Sequence, residues 1–499
     1  MRVGIDLGTT RTVVAAVDRG NYPVLGMEDV FGDQHDHLPT VVALDGERIV
    51  CGWEALALND GQAPQARSFK RLLSSPDVTA ATAVPIGAEH RLLGEVLETF
   101  ARHVLEQVRR SLGADEAEPI QAVLGVPAHA HSAQRLLTLD AFARAGAEVI
   151  ALVNEPSAGA FEFTHRHPRA LTSRRTGVVV YDLGGGTFDA SVVRINGTDH
   201  DVERSTGLAR LGGDDFDAVL ARLAAEQIAA EQITAEQGSS ASAPCEAELL
   251  EAARLAKERI TPQSRRTLVE LPEADVAVRV DAFYEQAAPL VEATLEVMEP
   301  LLAEGGALAD TELAGIYLVG GATALPLVAR MLRDRFGRRV HRSPHPSAST
   351  AIGLAIAADP EAGFRLRDRL TRGIGVFREA RDGAEVTFDP LVAPGTVPAE
   401  DGSITVVRRY RAAHNVGWFR YVEFPAAGAG ETTGDLTALA EVVVPFDPEL
   451  RDGRDLTAVP VKRCENGPEV EETVRIDANG IATIRTVLED GYCVERSVG

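Results

Sequence analysis

Two acidic residues, each followed by small and hydroxyl residues, carry the clearest chemical signal in the sequence. Asp6 precedes the run Leu-Gly-Thr-Thr, and Asp182 precedes the run Leu-Gly-Gly-Gly-Thr. Glycines allow backbone N–H groups to come close to a phosphate, and a carboxylate can hold Mg²⁺ through water molecules. The two runs therefore predict a site for a magnesium-bound phosphate, with an ordinary β-turn as the alternative for either run taken alone.

The elements around these runs predict how the two acidic residues are positioned. Each run lies between two β-rich stretches, which predicts a strand, a tight turn and a return strand. The repetition of this hairpin indicates two related subdomains that face one another. A further glycine turn, at Gly320 and Gly321, follows a buried strand predicted at residues 315–319. Together the three turns favour a phosphate site over isolated β-turns.

The rest of the chain divides into a mixed region and a region rich in turns. Apolar periodicity predicts helices at residues 92–112, 132–145, 156–163, 216–237, 246–260 and 326–336, and a strand at residues 120–126. From residue 365 onward, turn dipeptides separate short alternating runs, and Asn479-Gly480 is a strong hairpin signal. We therefore predict a mixed domain at residues 1–360, a charged linker at 361–372 and an all-β sandwich at 373–499.

Composition excludes several classes of function. The chain has 50 Lys and Arg against 74 Asp and Glu, a formal net charge of −24, which argues against nucleic-acid and anionic-membrane partners. The four cysteines have no metal-site spacing, which suits a reducing compartment. No secretory signal or membrane-spanning stretch is visible in the sequence. These features predict a cytoplasmic protein.

Several motifs together resemble a known family. They are the Asp6 and Asp182 runs, Ser-Phe-Lys-Arg-Leu-Leu from Ser68, Asn-Glu-Pro-Ser-Ala from Asn154, Leu-Gly-Gly-Asp-Asp-Phe-Asp from Leu211 and Leu-Val-Gly-Gly-Ala-Thr from Leu318. Their order is similar to that of the DnaK-type seventy-kilodalton heat-shock chaperone family, within the actin, hexokinase and heat-shock ATPase superfamily. The resemblance implies an α/β fold. Its two-lobed actin-like ATPase domain would have duplicated ribonuclease-H-like subdomains and precede a C-terminal all-β sandwich.

The resemblance also implies roles for individual residues. It assigns catalysis to Lys70, Glu155, Asp182 and Thr187, and the metal shell to Asp6, Asp182 and Asp189. It assigns nucleotide binding to Gly8, Thr9, Thr10, Gly184, Gly185, Gly186, Gly212, Gly213, Lys257, Gly320 and Gly321. The implied ligands are ATP or ADP with Mg²⁺, with K⁺ as a further candidate. Such a site agrees with the chemistry, because phosphoryl transfer needs positioning and charge neutralisation more than a covalent nucleophile.

Two of these residues can also be explained by an ordinary structural role. Taken alone, Lys70 would be a solvated helix residue and Glu155 would cap the helix that starts at Pro156. The resemblance implies that Pro127 and Arg135 relay the nucleotide state to the second domain.

The sequence departs from the family pattern at identifiable positions. Arg254 stands where many members have Glu, and Ala324 replaces an arginine that packs on the purine, so the base preference is open. The linker has Arg-Asp-Arg-Leu-Thr from Arg367 in place of an acidic-flanked leucine run, and Ala151 replaces a further arginine. These two changes make a J-domain co-chaperone a doubtful partner. After the sandwich strands, the helical lid of the family has no counterpart, and we expect fast exchange of bound peptide.

Three functions are compatible with these features to different degrees. The first is an ATP-hydrolysing chaperone that couples nucleotide state to polypeptide binding by its β-domain. The second is a nucleotide-dependent interaction protein that has one dedicated partner and weak or no ATPase activity, an alternative favoured by the altered linker. The third is a small-molecule kinase, against which the Leu211 and Asn154 motifs argue because they are not those of the kinase members.

Overall fold

The computed structural model describes the chain in two compact units. The described residues are 1–58, 63–115, 117–128, 130–208, 210–234, 245–272, 275–302, 312–363, 365–368, 370, 372–380, 385–425 and 436–497. The first unit comprises Met1–Val3, Leu25–Asn154 and Arg365–Gly499, and the second comprises Gly4–Val24 and Glu155–Phe364.

The strands and helices are numbered in chain order. The strands are β1 (Arg2–Leu7), β2 (Arg11–Ala16), β3 (Met27–Glu28), β4 (Gln34–His35), β5 (Leu38–Pro39), β6 (Val41–Asp45), β7 (Arg48–Cys51), β8 (Gln65–Arg67), β9 (Ala83–Ile86), β10 (Glu89–Leu92), β11 (Ile120–Val126), β12 (Ala147–Asn154), β13 (Gly177–Leu183), β14 (Phe188–Asn196), β15 (Asp199–Leu208), β16 (Arg266–Val269), β17 (Val276–Arg279), β18 (Leu313–Val319), β19 (Val340–Arg342), β20 (Arg365–Asp368), β21 (Arg372–Ala380), β22 (Glu385–Val392), β23 (Ile404–Arg411), β24 (Val416–Pro425), β25 (Thr437–Pro445), β26 (Glu469–Ile476), β27 (Ala482–Leu488) and β28 (Cys493–Ser497). The helices are α1 (Gly52–Ala57), α2 (Leu93–Leu112), α3 (Ser132–Arg144), α4 (Glu155–Arg166), α5 (Gly213–Thr234), α6 (Glu246–Glu258), α7 (Val280–Leu302), α8 (Pro326–Phe336) and α9 (Ser349–Ala358).

The second unit is built on a sheet in the order β19-β18-β13-β14-β15. β13 runs antiparallel to β14 and parallel to β18, so the tip of the β13–β14 hairpin and the carboxyl end of β18 lie at one edge. The strands β13, β14 and β18 are buried on both faces over most of their length, which explains their β-branched composition. Helix α4 packs closely on β13, because a Cβ on Gly159 would lie 2.9 Å from Cγ1 of Val180.

The first unit contains the C-terminal strands as a sandwich. Among the described residues after 371, one sheet has the order β22-β21-β24-β25 and the other the order β23-β26-β27-β28. Alternating apolar residues of both sheets form its core, and they include Val376, Tyr421, Val444, Val474 and Ile484. This arrangement is the expected way for two half-buried antiparallel sheets to cover each other's apolar faces.

Most elements predicted from the sequence are found where the patterns placed them. The strand at 120–126 and the helix at 326–336 have the predicted bounds, and the helix predicted at 92–112 runs from Leu93 to Leu112. The helix predicted at 156–163 is longer, since it begins at Glu155 and ends at Arg166. The Asn479-Gly480 turn joins β26 to β27, and Gly480 has a φ of +75°.

Part of the predicted linker is a strand. Residues Arg365–Asp368 form β20, and β21 begins at Arg372. Arg369 and Thr371 of the linker motif lie outside the described residues, as do residues 238–244 of the predicted helix break. The boundaries at 360 and 372 therefore stay predictions.

Candidate functional site

The two predicted acidic hairpins meet in the second unit. Neighbouring strands β1 and β2 carry the first glycine turn, and β13 and β14 carry the second. A Cβ on Gly185 would lie 2.6 Å from Oγ1 of Thr10, so the tips of the two hairpins are in contact. The first turn is also tight, because a Cβ on Gly8 would lie 2.2 Å from the carbonyl oxygen of Arg11. The structure thus brings Thr10 and the second glycine run together.

A third loop covers the second hairpin. Gly213 and Asp214 donate backbone hydrogen bonds to the carbonyl oxygens of Gly184 and Gly185, at 2.9 and 2.8 Å. A Cβ on Gly212 would lie 2.5 Å from the backbone nitrogen of Gly186, so only glycine is accommodated there. Helix α5 begins at Gly213, and the positive end of a helix dipole favours a nearby phosphate.

The fourth loop follows β18 and closes on the acidic residue of the second hairpin. Gly320 has a φ of +84°, a conformation that residues with a side chain rarely adopt. A Cβ at this position would lie 2.3 Å from Oδ1 of Asp182. Its neighbour Gly321 has open space around it, with no atom within 4 Å of an added Cβ. Asp182 itself is the register partner of Asp189 across the hairpin.

Lys257 of α6 reaches the third loop through a buried ion pair. Its Nζ lies 2.6 Å from Oδ1 of Asp217, and the two side chains are only 10% and 7% exposed. The same Nζ donates a hydrogen bond of 2.8 Å to the carbonyl oxygen of Gly213. Burial raises the pKa of Asp217 to about 6, although the neighbouring Lys257 lowers it. The pair therefore fixes α6 against the loop that begins α5.

Sequence reasoning missed two of these partners. Asp217 lies within the Leu-Gly-Gly-Asp-Asp-Phe-Asp motif, where its spacing of four from Gly213 predicts the same helical face. Arg11, next to the first glycine turn, forms an ion pair with Glu258 at the end of α6. Arg254, one of the departures from the family pattern, pairs with Glu251 at 2.5 Å. No local sequence signal indicates the Arg11 pair, because its partners are far apart in the chain.

Two predicted catalytic residues, Glu155 and Lys70, do not occupy the positions that a helix cap and a solvated helix residue would have. Glu155 is the first residue of α4 and does not precede the helix as a cap. Lys70 belongs to the first unit, where it lies in the 3₁₀ turn Phe69–Ser74 with only 8% of its surface exposed. A lysine this buried is not a solvated helix residue.

The residues of the second unit suit a metal held mainly through water and phosphate. No cluster of three His, Cys, Asp or Glu side chains that could hold a metal ion occurs among the described residues. Mg²⁺ usually keeps several waters and takes one or two carboxylates together with substrate phosphates. Asp182 stands beside the glycine turn at Gly320, where a Cβ would collide with its Oδ1, and a Cβ would also collide with protein atoms at Gly185 and Gly212. A carboxylate beside a glycine turn therefore matches this mode of binding.

The sandwich touches the N-terminal part of the first unit around Arg135. Its guanidinium donates to the carbonyl oxygen of Asn479 at 3.3 Å and to Oδ1 of Asn154 at 2.6 Å. The backbone nitrogen of Leu152 donates to Oδ1 of Asn479 at 3.0 Å. Arg135 thus joins the β26–β27 turn to the residue that precedes Glu155 in the chain.

A second contact between the same regions involves a buried carboxylate. Glu423 of β24 accepts hydrogen bonds from the backbone nitrogen and the hydroxyl of Ser132, at 3.1 and 2.5 Å. Its other oxygen lies 3.3 Å from Nε of Arg372, and the side chain is 6% exposed. Burying this charge is costly unless both partners stay in place, so the contact is specific.

Comparison with known proteins identifies the family. Residues 77–372 match the family described as Hsp70 protein. Chaperone protein HscA of Klebsiella pneumoniae is 30% identical over 537 residues, which cover 100% of this chain and 77% of that protein. The HscA homologs of Tolumonas auensis and Vibrio vulnificus are 33% and 34% identical over 395 and 401 residues. These two alignments cover 75% of this chain, and the chain spans 61% of the length of each relative.

These matches agree with the geometry of the second unit. The family match covers the second hairpin, the third and fourth glycine loops and Lys257, and the Klebsiella alignment extends it to the whole chain. None of the helices in the described ranges is long and apolar enough to cross a bilayer. The resemblance stated from the motifs and the α/β, actin-like fold that it implied are both confirmed, and the chain belongs to the Hsp70 family.

Proposed function

We propose that this protein binds ATP with Mg²⁺, hydrolyses it, and uses the nucleotide state to control polypeptide binding by its β-sandwich. The convergence of four glycine loops in the second unit carries the proposal, because glycines allow a polyphosphate to come close to the backbone and the N-terminus of α5 favours its charge. ATPase activity is a property of the family to which the chain belongs. For this chain the activity, its substrates and its partners are proposals.

The proposed roles follow the charges of the residues. Asp6, Asp182 and Asp189 would hold Mg²⁺ through its waters, and the bound ion would neutralise charge on the phosphates. Thr187 and Glu155 would orient the attacking water, and the Lys70 ammonium would stabilise charge at the γ-phosphate. Burial of Lys70 supports its role, because an ammonium in a water-poor place interacts more strongly with an anion.

The sandwich offers an apolar surface for a polypeptide. Phe377 of β21 and Phe388 of β22 are each 38% exposed, and their ring centroids lie 5.4 Å apart. The ring centroid of Phe424 lies 5.3 Å from that of Phe388. Gly375 and Gly373 lie beneath these rings, since an added Cβ would approach Phe388 and Phe424 within 2.2 and 2.5 Å. An exposed aromatic surface beside a sheet edge suits an extended apolar segment.

The Arg135 contacts supply a route between nucleotide and sandwich. Arg135 binds Asn154, the residue before Glu155, and also binds the Asn479 turn of the sandwich. A nucleotide that changes the position of Glu155 would therefore change how well Arg135 holds the sandwich. Control of this kind requires the nucleotide to bind the two arrangements with different affinity.

The ATPase part is tested by steady-state phosphate release from the purified chain. We expect slow, Mg²⁺-dependent release of phosphate from ATP in the wild type and a loss of at least about tenfold in Lys70→Ala. A chain that releases no phosphate above background, or a Lys70→Ala variant that matches the wild type, would refute the proposed hydrolysis.

The coupling part is tested with a fluorescent apolar peptide and its dissociation rate in ADP and in ATP. We expect dissociation in ATP to be at least about fivefold faster in the wild type, and equal in both nucleotides for Arg135→Ala. Phe388→Ala should weaken peptide binding, whereas Val407→Ala, which truncates another exposed apolar residue of the sandwich, should not. Peptide binding that is absent in every state, together with one stoichiometric protein partner, would favour the alternative of a dedicated partner.

A further inference from the structure

A cavity of about 540 Å³ opens on the second unit and is lined by residues other than the glycine loops. Its lining consists of His165, Arg166, His167, Arg342 and Pro344. This volume lies within the range of about 300–1,000 Å³ that small-molecule sites occupy. Every titratable lining residue is an arginine or a histidine, in a chain whose formal net charge is −24.

One arginine of this cavity has a cationic head without a carboxylate partner among the described residues. Arg342 donates a hydrogen bond of 3.4 Å to the carbonyl oxygen of Ala324, and no ion pair involves it. Burial, together with the nearby Arg333, lowers the pKa of Arg342. A guanidinium that is repelled by one neighbour and partly desolvated gains from a bound anion.

The other arginine, Arg166, is held in place by a buried carboxylate. Nε of Arg166 lies 2.6 Å from Oε1 of Glu162, whose side chain is fully buried. Glu162 also accepts hydrogen bonds from the hydroxyls of Tyr317 and Ser343, at 3.0 and about 3.1 Å. This network fixes Arg166 at the cavity, and among the described residues its two terminal nitrogens donate no hydrogen bond. Fixed donors bind an anion with little loss of side-chain entropy.

His167 adds an unsatisfied polar atom. Its Nε2 is buried and has no hydrogen-bond partner among the described residues. The centroid of its ring lies 5.2 Å from that of Phe163, 5.9 Å from that of Tyr317 and 5.1 Å from that of His341. Burial lowers the pKa of His167, and His341 and Arg166 lower it further. A buried nitrogen without a partner is costly unless a ligand or water satisfies it.

We propose that this cavity is a binding site for a small phosphate-bearing polyanion. Two guanidinium forks and two imidazoles match phosphate oxygens, which accept several short charge-assisted hydrogen bonds at once. The cavity favours a small molecule over an acidic protein segment because only five residues line it. The site does not use the nucleotide loops, so it stands independently of the proposed ATPase.

The test uses the full chain with ¹³C-labelled histidine and pyrophosphate as the probe. The Cε1–H signals of His165 and His167 are assigned by their loss in His165→Gln and His167→Gln. Pyrophosphate should shift both signals in a saturable way at constant ionic strength. It should also raise the pKa of His167, which is faced by Arg166, His341 and Tyr317, because a bound anion favours the protonated ring.

Variants decide whether the shift arises in the cavity. Arg342→Gln should weaken the binding of pyrophosphate at least about tenfold. Arg342→Lys should give an intermediate affinity, because lysine keeps the positive charge but lacks the paired N–H donors of the guanidinium. Arg338→Gln removes the same charge from an exposed arginine that does not line the cavity, and should stay within about twofold.

Three results would overturn the proposal. The first is the absence of any saturable histidine shift, and the second is equal binding by the wild type and Arg342→Gln. The third is a shift caused by citrate but not by pyrophosphate, which would assign the cavity to polycarboxylates. Failure of ATP binding leaves these histidine signals unaffected, so the two proposals fail separately.

Discussion

Replacing Lys257 by Met tests how the buried ion pair supports the nucleotide loops. The change removes the cation 2.6 Å from Asp217 and the donor to the carbonyl oxygen of Gly213. Asp217 would then remain as a carboxylate that is 7% exposed and has lost its cation. Breaking a buried pair in this way costs about 3–5 kcal/mol, because the remaining charge is not compensated.

The size of this loss should depend on pH. At pH 7.5 the Asp217 carboxyl is ionised, because its pKa is about 6. There we expect the free energy of unfolding to fall by about 3 kcal/mol, the lower end of the range, since Asp217 can take up a proton. At pH 5 most Asp217 side chains are already protonated in the wild type. The loss there should be only about 1 kcal/mol, from the hydrogen bond to Gly213.

Urea unfolding followed by circular dichroism at pH 5 and pH 7.5 measures this difference. The double variant Asp217→Asn with Lys257→Met should recover most of the loss at pH 7.5, because no charge is left buried. Arg259→Met, which breaks an ion pair with Glu270 whose side chains are 57% and 53% exposed, should lose less than about 1 kcal/mol. A loss in Lys257→Met that is equal at both pH values, or no recovery in the double variant, would refute the reasoning.

Three further predictions concern other parts of the chain. Gly320→Ala should weaken ATP binding at least about tenfold in calorimetry, because its Cβ would meet Asp182, and an unchanged affinity for ATP would contradict this reasoning. Burial lowers the pKa of His200 to about 4, so its contribution of about 3 kcal/mol is present above pH 6.5 and is lost as the pH falls toward 4. Acid titration of stability should therefore be flatter in His200→Gln, and an unchanged profile would contradict this assignment. Glu472→Ala should destabilise the sandwich by about 2–3 kcal/mol in urea unfolding, because it removes one of the two carboxylate partners of Arg378 and the acceptor of the Tyr421 hydroxyl, and a loss below about 1 kcal/mol would contradict the role of Glu472.

The local parts of the fold were predictable because their signals lie within short stretches. β-Branched runs and glycines indicate the hairpins at Asp6 and Asp182, and an apolar stripe with a period near 3.6 indicates α2. The turn at Asn479 and Gly480 follows from the preference of that dipeptide for positive φ. In each case a single local property of the chain decides the structure.

The contacts between distant segments were not predictable from patterns. The Arg11–Glu258 ion pair and the Ser132–Glu423 hydrogen bonds join residues hundreds of positions apart, and charge patterning alone does not select such partners. The start of α4 was placed one residue late, because Pro156 suits the first turn of a helix at either position. The burial of Lys70 was likewise invisible, since its neighbours in sequence are typical of an exposed helix.

Calorimetric titration of the whole chain with ATP, with Mg²⁺ and then with a chelator, tests the central claim most directly. The glycine loops predict one saturable site for ATP in the presence of Mg²⁺. The affinity of this site for ATP should fall at least about tenfold when Mg²⁺ is removed. That site should be lost in Gly320→Ala and kept in Arg342→Gln. An absence of ATP binding in Mg²⁺, or a site that Gly320→Ala leaves unchanged, would contradict the claim that these loops bind a magnesium-bound nucleotide.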